Sequence, residues 1–170
     1  TIQDELIVTV SSVNDIPVAN PETISVAEGG TITTTTGGND SLLDNDTDAD
    51  SLDTITTNVV TMPFNYSAFT INSATGTFTY THDGSETTTD SFSYRVSDGD
   101  GGSSSIVTTN ITITPVNDCP TIANTVADFI AQEDDPDDII DLSTVFADAE
   151  NNTLNITVSN ANSSLLTHSY

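Results

Sequence analysis

The chain has 170 residues, with 26 acids against a single basic residue, Arg95, for a formal net charge of −25. Binding to nucleic-acid phosphates or to an anionic membrane surface needs Lys and Arg, so both partner classes are excluded. No run is long and apolar enough to span a membrane, and the lone Cys119 excludes an intrachain disulfide.

Residues 1–12 read as a last strand, because Leu6, Val8 and Val10 recur at the period of two expected of a half-buried strand. They run into the joint Val13-Asn14-Asp15-Ile16-Pro17, which returns as Val116-Asn117-Asp118-Cys119-Pro120. The return comes after roughly 100 residues, the size of one β-sandwich domain. A joint repeated at that distance predicts a tandem array.

Between the joints, Ile24 and Val26 open a strand that turns at Glu28-Gly29-Gly30 into a Thr-rich strand around Ile32. The acidic run Asp44-Asn45-Asp46-Thr47-Asp48-Ala49-Asp50 follows, then a strand through Val59 and Val60. Phe69 to Ile71, the turn 72–76 and Thr77 to Tyr80 read as strand, turn, strand. Phe92, Tyr94 and Val96 alternate with polar residues, and Asp98-Gly99-Asp100-Gly101-Gly102 turns the chain into a final strand carrying Ile111 and Ile113. No segment has helical periodicity. The expected fold is all-β, a Greek-key β-sandwich of immunoglobulin-like type repeated in tandem.

The expected layout is a last upstream strand at 1–12, a complete repeat at 13–119 and the N-terminal half of another at 120–170. In that third part Glu133 answers to Glu28, Asp148-Ala149-Glu150 answers to Asp48-Ala49-Asp50, and Leu154, Ile156 and Val158 alternate as a strand. Half a sandwich buries too little apolar surface to stand alone. The chain is therefore expected to continue, or to be completed by a neighbouring copy.

Asp44, Asp46, Asp48 and Asp50 sit two apart. In an extended segment such side chains share a face at roughly 7 Å. Each neighbouring pair then repels by about 0.6 kcal/mol at the dielectric of water. Two readings are open, a cation site and a solvated loop in which the acids diverge. The run is not an EF-hand, which needs Gly at the sixth position and Glu at the twelfth. From Asp44 those positions hold Ala49 and Ile55, and from Asp46 they hold Ser51 and Thr57. Zinc prefers Cys and His, but His82 and His168 stand alone and read as surface or packing residues, and Cys119 as a small apolar filler where the first joint has Ile16. Calcium takes six to eight oxygens, main-chain carbonyls included, and an Asn-Asp linker offers both kinds.

Val-Asn-Asp-x-Pro twice, Thr47-Asp48-Ala49-Asp50, Ala27-Glu28-Gly29 and Phe92-Ser93-Tyr94-Arg95-Val96-Ser97-Asp98 together resemble the cadherin family. They are most similar to the bacterial cadherin-like repeats of large secreted adhesins and of some polysaccharide-degrading proteins. The resemblance covers nearly the whole chain and implies calcium bound between successive modules. At the first joint it implies the ligands Asn14, Asp15, Asp48, Asp50 and Asp98. At the second it implies Glu28, Asn117, Asp118, Asp148 and Glu150. Asp46 and Asp90 are further candidates. The family's linker has an Asp two positions before the Asn and an Asn after the Asp, where this chain has Ser12 and Ile16, then Pro115 and Cys119. Fewer than three ions per joint and affinity near 10⁻⁴–10⁻³ M follow, as in other extracellular modules.

The implied function is a calcium-rigidified stalk or adhesive arm of a secreted, cell-surface bacterial protein, with neighbouring repeats of the same chain as first partners. Alternatives are a polysaccharide-binding accessory module and a subunit of a self-associating extracellular filament. The first alternative lacks Trp platforms, and Tyr80 and Tyr94 are expected in the core. An enzyme is not expected: there is no Gly-x-Ser-x-Gly elbow, and two His and one Cys allow few base–nucleophile pairs.

Overall fold

Alternation along the chain translates directly into sheet faces. The computed structural model describes residues 13–50, 52–127 and 140–158. The strand expected at Leu6, Val8 and Val10, and the residues Glu133 and His168, lie outside the described residues. The chain divides into two compact units, Thr1–Val116 and Asn117–Tyr170.

Among the described residues the first unit holds seven strands: β1 (Thr23–Ala27), β2 (Thr31–Ile32), β3 (Thr56–Thr61), β4 (Tyr66–Ile71), β5 (Phe78–His82), β6 (Thr89–Ser97) and β7 (Val107–Thr114). One sheet has the order β1-β7-β6-β3 and the other β2-β5-β4. β1 runs parallel to β7, with Ile24 opposite Ile111 and Val26 opposite Ile113. The remaining pairings in both sheets are antiparallel. No described residue is helical, and none lies in a helix able to cross a membrane.

Every second side chain of β1, β5, β6 and β7 points inward. Ile24, Val26, Phe78, Tyr80, Phe92, Tyr94, Val96, Ile111 and Ile113 are buried there, and Leu42 joins them from the loop between β2 and β3. Phe69 packs on Phe92 with ring centroids 4.9 Å apart, so β4 of one sheet meets β6 of the other. This is the expected all-β sandwich. The turn 72–76 closes as anticipated: Asn72 Oδ1 accepts from the main-chain N–H of Ala74 and Thr75. Gly76 then takes φ 69°, where any Cβ would run into the Ser41 hydroxyl.

Two expectations change. The strand around Ile32 is only two residues long. Cys119 is exposed, as is Ile16, so neither fills a core position. Of the two roles open to His82, surface or packing, it takes the second: it is fully buried, its Nδ1 accepts from the Gly29 N–H at 3.2 Å, and its Nε2 lies 2.9 Å from the Thr87 hydroxyl.

The second unit has one described ladder, β8 (Thr121–Ile122) against β9 (Phe146–Ala147). Leu154 and Ile156 are half-buried between exposed neighbours, but the strand expected there does not form. Alternation selects a face, whereas a strand also needs a hydrogen-bonding neighbour, and no described residue supplies one.

Candidate metal centre

Pro17 is buried at the entrance to the first unit, and next to it Val18 exchanges two main-chain hydrogen bonds with Thr47, at 2.8 and 3.0 Å. That bridge lays the linker alongside the acidic loop. The N–H of Asp15 donates to Asp50 Oδ2 at 2.7 Å. Asp48 Oδ1 accepts from the Asp50 N–H at 2.8 Å, closing an Asx-turn.

Asp98 arrives from the end of β6 and is buried. Its Oδ1 accepts from the N–H of Asp100 at 2.8 Å and of Gly102 at 2.9 Å, and its Oδ2 accepts from the Asn14 amide at 3.0 Å. Gly102 is required by this approach, because a Cβ there would collide with the Asp98 carboxylate and lie 3.1 Å from the Asn14 amide nitrogen. The Asn14 bond, ahead of the main-chain bonds, holds the Asp98 carboxyl below the usual carboxylate range.

All five candidates of the first set therefore lie in one connected network. The structure adds Asp53, which the run-based reading missed because it falls outside the alternating Asp pattern. Asp48, Asp53 and Asp98 each offer an oxygen, and these oxygens lie within 4.8 Å of one another. Partial burial, then the charges of Asp100, Asp50, Asp48 and Asp98, push the Asp53 carboxyl up. Asp48 Oδ2 is buried with no hydrogen-bond partner. Three clustered carboxylates, one of which also carries a buried oxygen without a partner, make an all-oxygen donor set that fits a hard divalent cation.

The alternating-face geometry expected for the run does not hold. Residues 42–45 form a turn, and the four Asp residues split: Asp48 and Asp50 stay together beside the linker while Asp46 does not. Asp46 points into the unit instead: it accepts from the Asn20 N–H at 2.6 Å, and the Tyr94 hydroxyl lies 3.4 Å away. Burial pushes its carboxyl up. Glu22, beside Asp46 and Asp44, is raised by burial and then by those two charges. Asp90 is committed elsewhere, accepting from the N–H groups of Phe64 and Asn65 at 2.9 Å and from the Tyr80 hydroxyl at 3.1 Å.

The second candidate set is divided between the units. In the first, Glu28 Oε2 accepts from the Val116 N–H at 3.1 Å. A carboxylate oxygen of Glu28 lies within 4.8 Å of one from Glu86, an acid the sequence reading did not select. In the second, the Asp118 N–H donates to Glu150 Oε1 at 2.7 Å, and Asp148 Oδ1 accepts from the Asn152 N–H at 2.9 Å. Asn117 Oδ1 accepts from the Asn152 amide at 3.1 Å. Glu150 Oε2 is another buried oxygen without a partner.

A family model described as the bacterial cadherin-like domain matches residues 14–115. No curated protein matches the chain. Among solved structures, the crystal structure of Drosophila N-cadherin EC1-4 is similar at 12% identity and a TM-score of 0.43, over 59% of this chain and 25% of that one. The chain thus spans about a quarter of that structure's length. With the match running from the first joint to just before the second, the chain belongs to the bacterial cadherin-like domain family, whose fold serves as a non-enzymatic, extracellular repeat module of adhesion type.

Proposed function

We propose that this chain is a calcium-rigidified segment of a bacterial surface or secreted adhesin, acting as stalk or arm. Its layout would be an upstream strand at 1–12, a whole repeat at 13–119 and the start of a further repeat at 120–170. The observation that carries the reading is the cluster of Asp48, Asp53 and Asp98, which each offer a carboxylate oxygen within 4.8 Å of the others, together with the buried, unpartnered Asp48 Oδ2. Cadherin domains generally bind calcium, and a bound ion supplies the positive charge that this chain lacks.

Asp48, Asp53 and Asp98 would hold the ion, with Asp50 tethering the linker through Asp15 and with Asn14 and Asp15 adding oxygens. Glu28 with Glu86, and Asn117, Asp118, Asp148 and Glu150, would serve the second joint. Without the ion these acids repel, which loosens the hydrogen bonds from Asn14 and Asp15 that hold the linker to the loop. With it, linker and loop become one rigid piece.

The test is a thermal melt of this chain in calcium and in chelator, repeated with Asp48→Asn and Asp98→Asn. The native chain should melt higher in calcium, and both variants should lose most of that gain. Equal melting of the native chain in calcium and chelator would reject the proposal. Tyr80 and Tyr94, fully buried, are not available as sugar platforms, and no other observation favours the polysaccharide reading.

A further inference from the structure

Glu28 and Glu86 lie far apart in sequence, yet their carboxylate oxygens come within 4.8 Å of each other. Two like charges at that distance repel, so the main chain beneath them has to hold them there. On both sides that main chain leads to one side chain, the imidazole of His82, which is 1% exposed.

Glu28 sits in a turn that the Gly30 N–H closes on the Ala27 carbonyl at 2.9 Å, with Gly29 at φ 65°. The Glu28 N–H donates to the Thr114 carbonyl at 2.9 Å, which anchors the turn to β7. The next donor, the Gly29 N–H, goes to His82 Nδ1 at 3.2 Å. The main-chain N–H of His82 donates in return to the Gly30 carbonyl at 3.0 Å. His82 therefore grips this turn with both its backbone and its ring.

The same ring holds the loop that carries Glu86. The Gly84 N–H donates to Nδ1 at 3.3 Å, sharing it with Gly29. Nε2 lies 2.9 Å from the Thr87 hydroxyl, and that hydroxyl lies 3.0 Å from the hydroxyl of Ser85. Asp83 Oδ1 fixes Ser85 from the other side by accepting its N–H at 3.0 Å, and stands 3.5 Å from Nε2. Glu86 is thus bracketed by two residues whose hydroxyls run to the imidazole. Because Nδ1 accepts from main-chain N–H groups, the ring proton sits on Nε2, where it donates to Thr87.

We propose that His82 is the positioning residue of the Glu28–Glu86 pair: its buried ring ties the turn carrying one acid to the loop carrying the other, so that both present oxygens to one calcium ion. The proposal rests on the calcium reading above. Calcium affinity follows ligand charge and the rigidity of the site, and His82 supplies rigidity without being a ligand. A carbon side chain of similar size would fill the space but leave the Gly29 and Gly84 N–H groups without this acceptor, and turn and loop would part.

The test is a calcium titration of this chain followed by NMR. The Gly29 and Gly84 amides report on the pair, and the Asp15 and Gly102 amides report on the first joint as an internal control. In the native chain both sets should shift with calcium. His82→Leu should weaken the response at the pair at least tenfold and leave the first joint unchanged. His82→Asn, whose Oδ1 can accept the same N–H groups, should restore most of the affinity. Thr87→Val removes only the partner of Nε2 and should weaken the pair several-fold, which carries the comparison if His82→Leu does not fold. An unchanged pair in both His82→Leu and Thr87→Val, equal loss at pair and joint, or a His82→Asn chain no better than His82→Leu would each overturn the proposal. So would a native chain whose first joint responds while Gly29 and Gly84 do not. A native chain that ignores calcium at both places would instead reject the calcium reading, and the proposal with it.

Discussion

The main-chain N–H of Asp15 donates to the carboxylate of Asp50 at 2.7 Å, joining the linker to a loop 35 residues away. The second unit repeats the device: Asp118 donates to Glu150 at 2.7 Å, 32 residues away. In both places one acid is spent on positioning the linker backbone, and a neighbouring carboxylate oxygen, Asp48 Oδ2 or Glu150 Oε2, is left buried and unpartnered. The repetition assigns two jobs within each acidic loop, tethering and offering an oxygen.

Asp48→Asn should move stability in opposite directions with and without calcium. In chelator it removes repulsion with Asp53 and Asp98, so melting stays level or rises. In calcium it removes a ligand. A ligand at a hundred times its dissociation constant stabilises by about 2.7 kcal/mol. That corresponds to about 10 °C or more in a domain of this size. Differential scanning calorimetry should show most of that increment missing in the variant.

Gly102→Ala should damage the same site without touching an acid. The added methyl collides with the Asp98 carboxylate and crowds the Asn14 amide, separating two groups now 3.0 Å apart. Inserting a methyl where none fits costs about 1–3 kcal/mol. The melt in chelator should fall accordingly, and isothermal titration should find calcium binding at the first joint weakened at least tenfold.

The pH dependence of the calcium-free chain should reveal the strained acids. Asp53 and Asp46, raised by burial, and Glu22, raised by burial and by Asp46 and Asp44, bind protons more tightly folded than unfolded. Their contribution to stability therefore falls as pH rises from the ordinary carboxylate range through their raised folded values. Asp98, lowered chiefly by Asn14, acts in the other sense, and its contribution is lost as pH falls through its depressed value. Melting in chelator should thus improve on mild acidification from neutral pH and decline again at stronger acid. In calcium the improvement should disappear, because protons compete with the ion.

Tyr94→Phe should separate structural from ligand acids. The Tyr94 hydroxyl lies 2.9 Å from the Asn20 carbonyl, 3.2 Å from that of Leu42 and 3.4 Å from Asp46 Oδ2. Removing it leaves buried acceptors short of a donor, at a cost of about 1–2 kcal/mol. The calcium increment should survive in Tyr94→Phe and in Asp46→Asn, because Asp46 serves the interior. Loss of the increment in Asp46→Asn would return that residue to the ligand set.

Much of this molecule was legible before any fold was known. The alternation of Ile24 and Val26, of Phe92, Tyr94 and Val96, and of Ile111 and Ile113 placed each on the buried face it occupies. The joint motif and the Asp48 and Asp98 acids pointed to the residues that converge at the first joint. The reading weakened where it treated the Asp44–Asp50 run as extended, because Leu42 is drawn into the core and the following residues must turn. Asp53 and Glu86 were invisible for a related reason. Nothing in their local pattern differs from any solvated acid, and their neighbours are distant in sequence.

Composition and period are local properties, and they determined this protein's sheet faces, the spacing of its two Asn-Asp-x-Pro joints and its large excess of acids over its own cations. Only the tertiary structure decided which acids meet, which are diverted to clamp the interior, and which oxygen is left without a partner. Those outcomes depend on bringing residues as far apart as Asn14 and Asp98, 84 positions, into one hydrogen bond. Such closure follows from the path of the whole backbone around its core, which no short stretch of chain encodes.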